Sequence, residues 1–215
     1  MTLATRTVAT PRAGAIILAG GQSRRMGQPK ATLPFGKTTV LERIVDELAD
    51  AFDEVIIVAA PAAVEPYSLD AALAKSPSRV VVVRDTLPFP GPLPALIAGL
   101  RRSRHEAVFA CSCDLPLLRA ATARAIVDAL GDHDAAVPIV DRQRQPLCAA
   151  YARKALGRLE TAAAQEARLT VIVARLATRW LPETEMRQIE PDLPSFVNIN
   201  TPADYARALQ IAGQP

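Results

Sequence analysis

Three observations predict a doubly wound α/β fold with a mostly parallel sheet and helices on both faces. Short β-branched runs alternate with helical stretches over the first two-thirds of the chain. The runs lack polar alternation, as expected of strands covered on both faces. Their spacing, strand to helix to strand, is that of crossover units. With 215 residues, 50% of them hydrophobic and only 4% aromatic, the core has to be built from Ala, Val, Leu and Ile.

The elements follow in order. Ala15-Ile16-Ile17-Leu18 reads as a strand, and Val40 to Phe52 as an amphipathic helix with Leu41, Ile44, Val45 and Leu48 on its apolar face. Val55 to Val58 and Val80 to Val83 are two further strands, each a continuous apolar run. A turn at Pro90-Gly91-Pro92 opens a helix over Leu93 to Arg102. Ala107 to Cys113 is a fourth strand, followed by a helix around Ala120 to Leu130. Strands over Ala135–Val140 and Leu147–Tyr151 and a helix over Arg153–Ala164 follow in a less regular last third. Thr201 caps a final helix, Pro202 to Ile211, with proline at its first position. No repeat, low-complexity tract or Gly/Ser linker interrupts the chain, so residues 14–215 read as one domain behind a flexible tail, 1–13.

Charge and cysteine usage exclude several classes. Charged residues are 22% and the net charge is +3, too small to suggest a nucleic-acid partner. No apolar run approaches the roughly 18 residues of a membrane helix. Met1 to Gly14 carries Arg6 and Arg12 without the apolar core of a signal peptide. Cys111, Cys113 and Cys148 are too few for a disulfide framework, and zinc would need two further ligands. They read as buried free thiols in a reducing cytoplasm.

In open parallel sheets, ligands bind at the carboxyl ends of strands, beside the point where strand order reverses. The first strand runs into Leu18-Ala19-Gly20-Gly21-Gln22-Ser23-Arg24-Arg25-Met26-Gly27, with Lys30 just beyond. The third ends at Asp85 and the fourth at Asp114-Leu115-Pro116. A glycine-rich loop lets successive N–H groups converge on phosphate oxygens, and Arg24, Arg25 and Lys30 can neutralise a polyphosphate. Together with two carboxylates this suggests a metal–nucleotide site, Asp114 being of the type Mg²⁺ takes alongside substrate phosphates. Each part has a plainer reading: a solvated basic turn, a helix-capping aspartate at Asp114, a turn residue at Asp85. The loop is not the dinucleotide fingerprint, and Gly36-Lys37-Thr38 is not a Walker A loop, because Ala31 stands where its first glycine belongs.

From about Gly14 to its end the chain resembles the molybdenum cofactor guanylyltransferase family of nucleotidyltransferases. The resemblance rests on five ordered segments: Leu18 to Lys30, Gly91-Pro92-Leu93, Cys113-Asp114-Leu115-Pro116, Gln145-Pro146-Leu147, and Phe196-Val197-Asn198-Ile199-Asn200-Thr201-Pro202. It implies a single Rossmann-like domain that transfers GMP from GTP to the terminal phosphate of molybdopterin and releases pyrophosphate. It further implies nucleotide contacts from Leu18, Ala19, Gly20, Gly21, Asp85 and Asp114, and phosphate contacts from Arg25 and Lys30. Mg²⁺ would sit on Asp114, the acceptor side would be formed by Gln145, Pro146, Asn198 and Asn200, and molybdoenzyme-maturation proteins would be further partners. Gln28-Pro29-Lys30, Pro94-Ala95 and Val58 depart from the guanylyl pattern, the first towards the cytidylyl branch. Gly20-Gly21, Asn198 and Asn200 favour the guanylyl branch. GTP is therefore the expected donor. The alternatives are a cytidylyl or sugar-phosphate transferase on the same fold, and a non-catalytic nucleotide-binding maturation factor.

Overall fold

The computed structural model describes residues 12–21, 26–62, 68–85, 91–165 and 168–214. The tail expected over 1–13 falls largely outside them; the first strand, β1, spans Ala13–Leu18. A hairpin of β2 (Pro34–Phe35) and β3 (Thr38–Thr39) leads into α1 (Val40–Ala51), then β4 (Glu54–Ala59), α2 (Asp70–Lys75) and β5 (Val80–Arg84). Next come α3 (Pro92–Arg102), β6 (Ala107–Ser112), α4 (Ala120–Asp128), β7 (Ala135–Val140), β8 (Gln143–Arg144) and β9 (Cys148–Ala152). The chain closes with α5 (Leu156–Ala163), α6 (Leu169–Ile172), β10 (Thr178–Leu181), α7 (Glu183–Ile189) and α8 (Pro202–Ile211).

The main sheet runs β10-β7-β9-β6-β1-β4-β5, with β8 added to β7. Parallel pairing joins β5, β4, β1 and β6, and joins β10 to β7. The strand β9 runs against both of its neighbours, so the sheet is mostly rather than wholly parallel. After β1 the chain builds outward through β4 and β5, then returns to place β6 on the other side of β1. Strand order therefore reverses between β1 and β6, which opens a crevice at their carboxyl ends.

Alternate side chains of each strand enter two separate apolar layers. Ala15 and Ile17 of β1 and Phe109 and Cys111 of β6 meet α1 and α4. Ile16, Val108 and Ala110 meet α3 and α5 on the other face. This double burial explains the unbroken apolar runs in the sequence. Thr39 and Glu42 form a reciprocal capping box at α1, and Thr201 and Asp204 form another at α8.

One close approach fixes α3 on the sheet. A Cβ at Gly99 would lie 2.7 and 2.8 Å from two side-chain carbons of Ile16 on β1. Gly99→Ala is therefore expected to overpack this layer, by roughly 1–3 kcal/mol, against about 1 kcal/mol gained in helix propensity. The variant should melt a few degrees below the parent in a thermal scan; equal or higher stability would show that the layer can yield.

Several elements lie beyond what the apolar pattern indicates. The helix expected over Arg153–Ala164 starts with a 3₁₀ turn at Arg153–Ala155 before α5. The strand β10 and helix α7 occupy a stretch that the sequence left unassigned.

Candidate active site at the sheet's carboxyl edge

The crevice is built from three chain segments that meet at one lysine. Lys30 lies in a 3₁₀ turn after the glycine loop, where Pro29 starts the turn and Leu33 ends it. Its Nζ donates to Asp114 Oδ2 at 3.2 Å and to Asn200 Oδ1 at 2.8 Å. Both side chains of the ion pair are largely shielded, 15% and 19% exposed, so their charges are screened less than those of a surface pair.

Asp114 stands two residues beyond β6, and its backbone is tied from both sides. Cys113 N–H donates to Leu18 O at 3.1 Å, and Ile199 N–H donates to Asp114 O at 2.9 Å. The end of β1, the Cys113-Asp114 segment and the Asn198–Asn200 segment are thereby held in one place. The helix-capping alternative for Asp114 fails, since α4 starts at Ala120 with Arg119 at its cap position. Asn200 is held by its own N–H, which donates to Asp204 Oδ2 at 3.0 Å. Hydrogen bonding from Thr201, and then from the Asn200 N–H, keeps the Asp204 carboxyl below the usual carboxylate range.

The remaining expected residues divide by position. Leu18 and Ala19 are buried at the end of β1, and the Ala19 N–H is taken by Val58 O at 2.8 Å. Asp85 directly follows β5 with its N–H on Ala59 O, and its carboxyl flanks Gly20: a Cβ there would be 3.6 Å from Asp85 Oδ2. Burial raises the Asp85 carboxyl above its ordinary value. Gly21 is exposed, with nothing within 4 Å of its Cβ direction. Arg25, with Gln22, Ser23 and Arg24, lies outside the described residues.

Gln145 and Pro146 sit on the turn entering β9, which delivers them to the same edge: Ser112 N–H of β6 donates to the adjacent Leu147 O at 3.1 Å. The buried Tyr151 hydroxyl donates to Pro146 O at 2.7 Å and fixes that turn. Asn198 is not in the lysine cluster. Its amide donates to Phe196 O at 3.3 Å, and it lines a neighbouring cavity of about 320 Å³ with Arg187 and Arg207. Ser112, whose hydroxyl donates to Asp114 Oδ1, was missed by the sequence reading. The signal available in the sequence was a hydroxyl two residues before the aspartate, at the end of an otherwise apolar strand.

Two negative readings are resolved. Gly36-Lys37-Thr38 is the turn of the β2–β3 hairpin, where Gly36 takes φ +65°, and Lys37 is exposed. The three thiols are buried and free; burial, the leading cause, pushes Cys113 up to about 12 and raises Cys111 and Cys148 as well. They are neutral core groups and not nucleophiles.

A switch-point crevice that brings together a lysine, a carboxylate and an amide oxygen has the make-up expected of a nucleotidyltransferase. Residues 15–180 match the family described as MobA-like NTP transferase domain, and the chain belongs to that family. It is 35% identical over 195 residues to a probable molybdenum cofactor guanylyltransferase of Methanosarcina mazei, covering 88% of this chain and 87% of that protein. It is 34% identical to the molybdenum cofactor guanylyltransferase of Desulfosudis oleivorans, covering 90% and 92%. Its fold is that of the crystal structure of molybdopterin-guanine dinucleotide biosynthesis protein A from Archaeoglobus fulgidus. That likeness has a TM-score of 0.77 at 23% identity and covers 93% of this chain and 98% of the other. Among the described residues no helix is long and apolar enough to cross a membrane.

Proposed function

We propose that the protein transfers GMP from GTP to the terminal phosphate of molybdopterin, releasing pyrophosphate. The observation that carries this reading is the convergence of Lys30, Asp114 and Asn200 at the switch point. The names of relatives more than 30% identical over most of the chain support the choice of substrates.

A phosphate monoester is largely dianionic at neutral pH, so the acceptor needs no general base. One of its oxygens attacks the α-phosphorus of GTP, a new P–O bond forms, and the bond to the β-phosphate breaks with its electron pair leaving on pyrophosphate. Lys30 would neutralise charge on the phosphates, and Gly20 and Gly21 would offer them N–H donors, with Arg25, outside the described residues, as the further cation expected from the sequence. Because the Ala19 N–H already serves Val58 O, donors for phosphate begin at Gly20. Transfer then depends on positioning and charge neutralisation.

The donor set suits a hard divalent cation. Asp114 and Asn200 present one carboxylate and one amide oxygen to the single cationic Lys30 Nζ, and Mg²⁺ takes few protein oxygens alongside phosphates and water. Asp114, assisted by Asn200, would hold it, and when bound it would withdraw charge from the phosphate oxygens. Asp85 would take the guanine, whose N1–H and 2-amino group are two donors for a carboxylate that burial otherwise disfavours as an anion. Gln145 and Pro146 would face the acceptor, and Asn198 could meet it only from the neighbouring cavity beside Arg187 and Arg207. The setting we propose is the cytoplasm, which suits three free thiols.

We read Val58 as a packing residue. Its side chain is fully buried in the layer beneath α3, so its apolar character gives no support to CTP. Competition between equimolar GTP and CTP with molybdopterin as acceptor tests the assignment. The guanine dinucleotide should dominate the product; a dominant cytosine dinucleotide would remove the guanylyl reading and leave the phosphate chemistry in place.

A further inference from the structure

Along β6 the side chains of Val108 and Ala110 enter the apolar layer under α3. The last residue of that row is Ser112, a hydroxyl where the row would otherwise continue apolar, and Asp114 follows in the turn two residues on. The Asp114 backbone has no freedom left: Ser112 N–H is held by Leu147 O, Cys113 N–H by Leu18 O, and Asp114 O by Ile199 N–H. What remains to be set is the rotation of the carboxylate. Its two oxygens are differentiated, Oδ1 accepting from the Ser112 hydroxyl and Oδ2 from Lys30 Nζ.

An ammonium is a compact charge that gains by approaching both oxygens of a carboxylate. If Oδ1 were free, the Asp114 carboxylate could turn so that Lys30 engages both oxygens. Such a tighter ion pair would withdraw the carboxylate from any other cation. A neutral hydroxyl occupying Oδ1 prevents this without adding charge, and it leaves Oδ2 directed at the point where Lys30 and Asn200 meet.

We propose that Ser112 is a positioning residue that sets the Asp114 carboxylate for divalent-cation binding and keeps Lys30 from sequestering it. The proposal rests on the reading that Asp114 holds the cation. Hydrogen-bond partners of metal-binding carboxylates commonly change affinity by about 10–100-fold when removed.

Thr and Val have nearly the same shape and differ in the hydroxyl, so they separate a hydrogen bond from a packing effect. The measurement is Mn²⁺ affinity by electron paramagnetic resonance, on the intact protein with and without α,β-methylene-GTP. Ser112→Thr should bind Mn²⁺ as the parent does. Ser112→Val should bind about tenfold more weakly, with the KM for GTP at saturating Mg²⁺ changed less than twofold and the fall in kcat recovered by added Mg²⁺. Equal Mn²⁺ affinities in the Thr and Val variants would overturn the proposal. Asp114→Asn, measured in parallel, separates the two ideas: parent-like Mn²⁺ binding there would defeat the Asp114 reading itself and the role of Ser112 with it. The Mn²⁺ titrations, which decide the proposal, need no acceptor, so the guanylyl assignment stands or falls elsewhere.

Discussion

Asp114→Asn is expected to lower Mg²⁺-dependent pyrophosphate release by about 10²–10³-fold or more while the protein still folds. The substitution keeps the shape of the side chain and an oxygen able to accept from Ser112 or Lys30, but removes the negative charge. Two groups would lose by it: the proposed divalent cation its carboxylate, and Lys30 the partner that holds its Nζ at 3.2 Å. The backbone bonds that lock the segment, Cys113 to Leu18 and Ile199 to Asp114, do not involve the side chain, so the fold should persist. Circular dichroism and a pyrophosphate assay on the same sample separate the effects. Turnover near the parent rate in Mg²⁺ would show that Asp114 holds no catalytic cation.

Lys30→Ala ranks second in expected effect. An ammonium that clamps phosphates more strongly as charge shifts to the leaving group contributes to both binding and turnover. The KM for the triphosphate should rise and kcat should fall, together by about 10²-fold in kcat/KM. Lys37→Ala is the matched control, a lysine seven residues away on the exposed turn of the β2–β3 hairpin, and it should change neither constant appreciably. The opposite pattern, with Lys37→Ala inactive and Lys30→Ala unaffected, would move the phosphate site to the hairpin and contradict the account.

The elements legible in the sequence are those whose side chains face one environment throughout. The strands β1, β4, β5 and β6 are nearly continuous apolar runs because both faces of the sheet are covered, and α1 shows a clean apolar stripe. Caps were legible where the side chain itself makes the bond, as at Thr201. The strand β10 was not, because Thr178-Arg179-Trp180-Leu181 is a short edge strand with only Leu181 buried. Nor could periodicity show that β9 enters reversed between β6 and β7, since a fully buried strand reads the same in either direction.

The site was legible in its parts and not in its assembly. Lys30, Asp114 and Asn200 each stood in a segment resembling the family, yet Asp114 and Asn200 are 84 and 170 residues from the lysine that joins them. Only the reversal of strand order beside β1, and the bond from Ile199 to Asp114, bring them to one point. Asn198 belongs to the same motif as Asn200, but its amide turns to Phe196 and a separate cavity, a difference that residue type alone does not disclose.

The central claim is transfer of a nucleotidyl group at the Lys30–Asp114–Asn200 cluster, and its most direct measurement is product stoichiometry with GTP, Mg²⁺ and molybdopterin. Pyrophosphate and the GMP-bearing dinucleotide should appear in equal amounts, and omitting molybdopterin should stop both. Tight GTP binding with neither product, under conditions where the acceptor is intact, would contradict the account and leave a nucleotide-binding protein without transferase activity.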